Sequence, residues 1–334
     1  MEKISVIIPC RNEEKYIAGC LDSVISNDYP KDYMEVFVVD GKSNDNTQEI
    51  VNEYSRKYEF IHLLINEKKI VPYAMNLGIK KSTGDYIIRL DAHGVFPSNY
   101  FSELVLWSKK LNADNIGALW TTDVKNKNPK TNAIKKVLSN KFGVGDSLFR
   151  IGINKVTEVD TVPFGCYKKE VFEKVGLYDE RLERDQDIEL NKRLKKNGGR
   201  IFLLPDISST YYARETFSGI AKNNYRTGLW NILTVYFTKR LGSLSLRHFI
   251  PLIFLLSLII PLIIAFWFPL ISLIALISFI SYLIVLLKVS SQINDKTSSL
   301  IFILFGFLTL HFSYGFGSLV GIFRIDTLFI RKMN

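Results

Sequence analysis

The 39 residues from Phe249 to Leu287 contain no charged side chain, and Ser298 to Phe323 is uncharged again. No other feature constrains the fold as much, because an apolar helix needs about 20 residues to cross a bilayer. The first block is too long for one crossing, and Trp267-Phe268-Pro269 divides it. It reads as a tight helical hairpin, Phe249–Phe268 and Leu270–Leu287, with the aromatic residues at the interface and Pro251 and Pro261 kinking the first span. The alternative, a pair of buried core helices, fits charge-free runs of this length poorly. Lys239, Arg240 and Arg247 precede the hairpin, Lys288 and Lys296 follow it, and Arg324, Arg331 and Lys332 end the sequence. Positive charge marks the cytoplasmic side, which suits the hairpin. A third full span over 298–323 would carry the terminal cluster to the other side. The glycine-interrupted middle, His311-Phe312-Ser313-Tyr314-Gly315-Phe316-Gly317, leaves open a broken or re-entrant segment that returns.

The amino-terminal 210 residues follow another pattern. Ile4-Ser5-Val6-Ile7-Ile8 is a continuous apolar run that stops at Pro9-Cys10-Arg11-Asn12-Glu13-Glu14. Val36–Val39 stops at Asp40-Gly41-Lys42-Ser43-Asn44-Asp45, and Tyr86–Leu90 stops at Asp91-Ala92-His93. Helical periodicity follows the first two runs, over Tyr16–Ile25 and Thr47–Tyr54, the second with Asn44 or Asp45 placed as N-cap. Apolar strands alternating with helices predict an α/β fold, a mostly parallel sheet with helices on both faces. Ligands in such sheets bind beyond the carboxyl ends of the strands, so the three polar strand ends are expected to converge. Asp91 and His93, two apart at a bend, can turn toward one divalent cation and leave coordination positions for phosphate oxygens.

These residues resemble family 2 glycosyltransferases of the GT-A, Rossmann-like fold. The resemblance rests on Ser5–Asn12, Val38–Thr47 and Asp91-Ala92-His93, with Val162–Tyr167, Gly176–Glu180 and Asp185-Gln186-Asp187-Ile188-Glu189-Leu190-Asn191-Lys192-Arg193 downstream. It covers roughly residues 3–210. Asp-x-His in place of Asp-x-Asp, and Gln186-Asp187 in place of Glu-Asp, resemble the branch of membrane-bound succinoglycan-type exopolysaccharide glucosyltransferases. The resemblance implies a nucleotide-sugar donor, with a UDP-sugar expected, and a divalent metal cofactor, Mn²⁺ or Mg²⁺, held by Asp91 and His93. It implies a general base at Asp187. The alternating acids Asp185, Asp187 and Glu189 cannot all face one way on a helix, and only the family match singles out Asp187. Asp40 is implied as the acceptor of the uracil imide proton; Pro9, Arg11 and Glu13 are expected to shape the nucleotide rim. Lys69, ahead of Val71–Asn76, is a candidate phosphate contact, with a solvated lysine the alternative.

The expected organisation is a catalytic domain over 1–215, interfacial amphipathic helices over 216–247 and a membrane domain over 248–334. Phe217–Leu244 mixes Phe217, Ile220, Tyr225, Leu229 and Trp230 with Lys222, Arg226, Lys239 and Arg240, material suited to a membrane surface. Hydrophobic residues make up 47% of the chain and mean hydropathy is +0.10, in keeping with membrane attachment. The net charge of +10 suits anionic lipids and nucleotide phosphates. No nucleic-acid module, internal repeat or low-complexity tract is present. Met1-Glu2-Lys3 leads directly into the first strand without a signal sequence, and three cysteines without zinc spacing favour a reducing compartment. The expected activity is inverting sugar transfer to a lipid-linked acceptor at the cytoplasmic membrane face, in surface polysaccharide synthesis. The alternatives are a polyprenyl-phosphate sugar synthase and an inactive sugar-binding assembly subunit.

Overall fold

The computed structural model describes residues 1–333, with side chains through 324; Arg331 and Lys332 of the terminal basic cluster therefore lie outside the described side chains. The chain forms two compact units, 1–121 with 148–212, and 122–147 with Ala213 onward. The segment 122–147, counted with residues 1–215 in the sequence reading, thus belongs with the carboxy-terminal helices.

Strands β1 (Ile4–Cys10), β2 (Met34–Asp40), β3 (Ile61–Ile65), β4 (Tyr86–Arg89), β5 (Gly94–Val95), β6 (Asn115–Asp123), β7 (Thr157–Glu158), β8 (Cys166–Lys168) and β9 (Ile201–Tyr212) form one sheet, in the order β3-β2-β1-β4-β8-β6-β9-β5, with β7 on β9. The helices are α1 (Ile17–Ile25), α2 (Thr47–Lys57), α3 (Val71–Lys81), α4 (Tyr100–Leu111), α5 (Pro129–Leu138), α6 (Lys141–Val144), α7 (Leu148–Ile151), α8 (Glu170–Val175), α9 (Gln186–Lys196), α10 (Phe217–Thr238), α11 (Ile250–Ile264), α12 (Ser272–Ile293) and α13 (Leu300–Met333).

The continuous apolar runs become central strands because both faces of the sheet are covered. On β1, Ile4, Val6 and Ile8 face α1 and α4, where Ile17, Leu21, Phe101 and Leu104 pack against them. The alternate residue Ile7 joins Phe37, Val39 and Ile87 against Met75 of α3 and Leu190 and Leu194 of α9. Each of these fully buried side chains contributes about 1.5–3 kcal/mol. Pairing is parallel for β1–β2, β1–β4 and β2–β3, and antiparallel for β4–β8, β6–β8, β5–β9 and β7–β9. The parallel half carries the three polar strand ends. The antiparallel half combines the short β5, β7 and β8 with the longer β6 and β9, and no sequence pattern marks its direction.

In the second unit, Leu246–Ile264, Pro269–Ile293 and Leu300–Arg324 are long and apolar enough to cross a membrane. Phe266, Trp267 and Phe268 lie exposed in the connection between α11 and α12. Pro251 sits in the first turn of α11, where a missing N–H leaves no bond unmade, and Pro261 lies within the helix. The third segment is not broken: α13 is one helix of 34 residues, about 50 Å at 1.5 Å per residue. Its glycines serve packing instead. A Cβ on Gly317 would collide with the carbonyl oxygen of Tyr225 in α10, and one on Gly228 of α10 with that of Tyr314. Small residues admit such close backbone approach, a packing device also used between membrane helices. The amphipathic α5, capped by reciprocal bonds between Asn128 and Thr131, buries Ala133, Ile134 and Val137 against Ile303 and Phe307 of α13. Lys136 reaches the α12–α13 connection, bonding Ile293 O at 2.8 Å and pairing with Asp295 at 2.7 Å.

Gly228→Ala separates packing from helix propensity. Alanine favours a helix by up to about 1 kcal/mol over glycine, but overpacking of a close interface costs about 1–3 kcal/mol. The variant should unfold at a lower temperature in detergent. Gly19→Ala, in α1 with nothing within 4 Å of the added methyl, should not; equal effects would refute the tight α10–α13 contact.

Candidate active site

The register puts the three strand ends side by side. Cys10 stands opposite Asp40 across β1–β2, Pro9 opposite Val39, and Ile7 opposite Arg89 across β1–β4. The loops after β1 and β2 interlock: Asn12 N donates to Ser43 Oγ at 2.8 Å, Asn44 N to Asn12 Oδ1 at 3.0 Å, and Glu13 N to Thr47 Oγ1 at 2.8 Å. Asn12 takes a left-handed φ of 58°, tolerated best by asparagine among side-chain-bearing residues. The N-cap of α2 is Asn46 rather than Asn44 or Asp45; Asp45, one residue earlier, accepts from Thr47 N at 3.1 Å.

Asp40 is fully buried. Its Oδ1 accepts from Ser43 N at 2.8 Å and Gln48 Nε2 at 2.7 Å, and its Oδ2 from Ser43 Oγ at 2.5 Å. The carboxylate expected to meet uracil is therefore engaged by its own loop. The exposed Arg11 and Lys69 flank the same place: a Cβ on Gly41 would lie 3.1 Å from Lys69 O and 3.4 Å from Arg11 Cδ. Arg11, Asp40 and Lys69 thus gather around one loop, with Pro9 buried in β1 opposite Val39.

Glu13, Asp91 and His93 form the neighbouring group. His93 Nδ1 is 3.6 Å from Glu13 Oε1, and its ring meets the edges of Tyr211 at 4.7 Å and Tyr16 at 6.3 Å. Burial disfavours the imidazolium, but Tyr211, Glu13 and Asp91 outweigh it and hold the pKa up to about 10. A cation bound there would have to displace that proton, as metal binding to histidine does generally. Asp91 and His93 each keep about a quarter of their side chains accessible. One hard carboxylate oxygen with one imidazole fits Mn²⁺ or Mg²⁺ completed by phosphate oxygens. It does not make a self-sufficient cage: among the described residues no three His, Cys, Asp or Glu side chains gather as one metal site. Cys10, Cys20 and Cys166 are free, buried thiols, and burial, the leading cause at each, pushes them well above the ordinary range.

The start of α9 supplies the acid cluster, and the three acids differ sharply. Glu189 is bound to Arg193 through both oxygens, at 3.0 and 2.8 Å, and Arg193 in turn donates to Leu177 O at 2.9 Å. Asp185 is buried in a left-handed conformation (φ 59°) with Oδ2 lacking a partner. Asp187 is about one-third accessible, accepts from Ile188 N at 2.9 Å and faces Arg89 Nη1 at 3.7 Å. Buried Asn191, one turn on, anchors the helix: its amide accepts from Asn115 at 2.9 Å and Tyr167 at 3.0 Å and donates to Thr161 at 2.9 Å. Arg89 closes the arrangement, donating from Nη2 to Asp91 Oδ1 at 3.2 Å. Sequence reading passed over Arg89 and Asn191; the signals were a cation ending an apolar strand and an amide on the apolar face of α9.

Burial first, then Asp187, pushes Asp185 up to about 7 against a weaker lowering by Arg184. Between about pH 4, the unfolded value, and pH 7 the folded chain holds a proton that the unfolded chain has lost. Stability therefore falls as pH rises through that window, by a few kcal/mol in all. Asp185→Asn keeps the shape and suits the left-handed backbone but cannot ionise. Thermal unfolding should match wild type near pH 4 and favour the variant increasingly up to pH 7–8; parallel curves would show that Asp185 ionises freely.

Comparison with known proteins places this arrangement. The description "Glycosyl transferase family 2" matches residues 5–176. A dolichyl N-acetyl-alpha-D-glucosaminyl phosphate 3-beta-D-2,3-diacetamido-2,3-dideoxy-beta-D-glucuronosyltransferase of Methanococcus voltae is 29% identical over 279 residues, covering 78% of this chain and 86% of the relative. The succinoglycan biosynthesis protein ExoA of Rhizobium meliloti is 31% identical over 212 residues, 63% of each chain. A mannosyltransferase of Pyrobaculum calidifontis solved with GDP-Man and Mn²⁺ superposes with a TM-score of 0.57 at 17% identity, over 96% of this chain and 86% of that one. TarS 1–349 of S. aureus in complex with UDP-GlcNAc does so at 0.53 and 16%, over 95% and 90%. At such identities the likeness is one of fold, the GT-A fold. With more than half of its length matched by the family, the chain is a glycosyltransferase and belongs to glycosyl transferase family 2.

Proposed function

We propose that the protein transfers a sugar from a UDP-sugar to a lipid-linked sugar acceptor, with inversion, at the cytoplasmic face of the membrane in surface polysaccharide synthesis. The observation that carries this reading is the single group formed by the ends of β1, β2 and β4 with the start of α9, where Asp91 and Asp187 share Arg89. The lipid-linked acceptor is supported by the three apolar helices and by the name of the Methanococcus relative. Solved neighbours carry UDP-GlcNAc and GDP-Man, so both nucleotides belong in the donor screen.

Asp187 takes the proton of the acceptor hydroxyl while that oxygen attacks the anomeric carbon from the face opposite the nucleotide. The bond from that carbon to the phosphate oxygen breaks, and the nucleoside diphosphate leaves. A divalent cation at Asp91 and His93 would supply neutralisation of the diphosphate. Arg11 and Lys69, exposed beside Gly41, add positive charge at the nucleotide side. Asp40 serves the same side by holding the 41–48 loop in shape. The interfacial role of 216–247 belongs to this proposal as well, supported by Lys222, Arg226, Lys239 and Arg240 among the apolar residues of that stretch.

The test is a donor screen on the full chain in membrane lipid extract, with mass analysis of the product. Chelation should abolish transfer and Mn²⁺ restore it. Asp187→Asn should lower single-turnover rates about 10²–10⁴-fold while UDP affinity, read by calorimetry, barely changes. Undiminished turnover in excess chelator, or a normal rate for Asp187→Asn, would overturn the mechanism. Asp187→Asn activity kept on bare polyprenyl phosphate would instead select a polyprenyl-phosphate sugar synthase, whose phosphate acceptor needs no base.

Asp40→Asn can keep its oxygen on Ser43 N–H and the Gln48 amide but places an NH2 where Oδ2 accepts from Ser43 Oγ, and it removes the charge those donors stabilise. Leaving buried groups unpaired costs about 1–3 kcal/mol. The variant should therefore lose thermal stability together with UDP affinity. Loss of affinity with unchanged stability would point to direct contact with the base.

A further inference from the structure

We infer that Arg89 is a positioning residue that sets the distance between the cation-binding carboxylate and the general base, and that it is the resting counter-ion of Asp91. The inference rests on the transfer mechanism above.

Arg89 ends β4, its N–H bonded to Gly165 O at 3.0 Å, and the next residue, Leu90, donates to Ile7 O at 2.9 Å. Its backbone is thus fixed from both neighbouring strands. The side chain is only 12% accessible. One arm of the guanidinium meets Asp91 Oδ1 at 3.2 Å and the other faces Asp187 Oδ2 at 3.7 Å. Because the guanidinium is planar and rigid, two carboxylates on its two arms keep a set separation, which a lysine point charge would not impose. Asp91 and Asp187 lie 96 residues apart on different elements, so covalent geometry does not otherwise relate them.

The guanidinium is not fully satisfied by these pairs: Nη1 meets Asp187 only as an ion pair at 3.7 Å, and Nε makes no close hydrogen bond, an incomplete pairing that a purely stabilising buried cation would avoid. The contact with Asp187 is longer than a hydrogen bond, which leaves that carboxylate its lone pairs for a proton. Arg89 already holds Oδ1 of Asp91, so a cation held by Asp91 and His93 would compete with it for that carboxylate's charge, while the contact with Asp187 would be untouched.

Arg89→Gln, made in the full chain in detergent, tests this by opposed effects. Mn²⁺ binding in the presence of UDP, measured by electron paramagnetic resonance, should become several-fold tighter, because a repelling and competing cation is gone. The single-turnover rate should fall about 10²-fold, the scale of a misplaced catalytic group, with donor KM nearly unchanged. Added to Asp187→Asn, the same substitution should cost little further rate. Arg89→Lys, which keeps the charge and guards against misfolding of the first variant, should keep wild-type Mn²⁺ affinity but remain slow. Mn²⁺ binding and turnover that weaken together, or rate losses that multiply in the double variant, would reduce Arg89 to a structural role and overturn the inference. The Mn²⁺ measurement needs no turnover, so the two ideas fail differently. A wild type that neither binds Mn²⁺ with UDP nor transfers sugar sinks both, whereas an active wild type with an indistinguishable Arg89→Gln sinks this one alone.

Discussion

Parallel hydrogen bonding of β1 to β2 on one side and to β4 on the other is the constraint on which everything else depends. Parallel neighbours point their carboxyl ends the same way, so the loops after Cys10, Asp40 and Arg89 must emerge together. A strand buried on both faces has no polar side to offer water, so apolar side chains alternate between two helical layers and the polar residues are confined to the ends. Burial and site formation are therefore one requirement.

Within the cluster, desolvation sorts residues of one chemical type into different states. Of the acids at the start of α9, Asp185 is buried beside another carboxylate, which raises its pKa to about 7, Glu189 is paired with Arg193, and Asp187 remains accessible beside Arg89. His93 is held in its charged form by Glu13, Asp91 and Tyr211 in spite of burial. The result is a group of side chains in which carboxylates and cations offset one another.

The second unit holds three segments long and apolar enough to cross a bilayer, and its helices meet through an apolar cluster, through glycine and through side chains that find polar partners. Gly228 and Gly317 bring α10 and α13 to backbone contact, and Asn231 Nδ2 donates to Tyr314 Oη at 2.6 Å. The inserted 122–147 segment joins the same assembly through α5, with Asn132 and Lys136 bonded to the α12–α13 connection.

By itself the sequence determined the strands β1, β2 and β4, the helices α1 and α2, the family and the apolar hairpin, because each of these is written in local periodicity or in an ordered set of short motifs. Asp-x-His was legible as a candidate ligand pair for the same reason. Tertiary structure decided the rest. The docking of α5 on α13 joins residues some 170 positions apart, and no local pattern marks it. That α13 stays whole through Gly315 and Gly317 depends on the partner helix, since glycine weakens an isolated helix but permits a close pair. Asp40 looked available in the sequence and is engaged in the fold, because Ser43 and Gln48 reach it only once α2 begins. Asp185 and Asp187 are identical in type and two residues apart. Only packing makes one a buried acid and the other an accessible carboxylate, because the energy of a charge is set by the groups and the water around it.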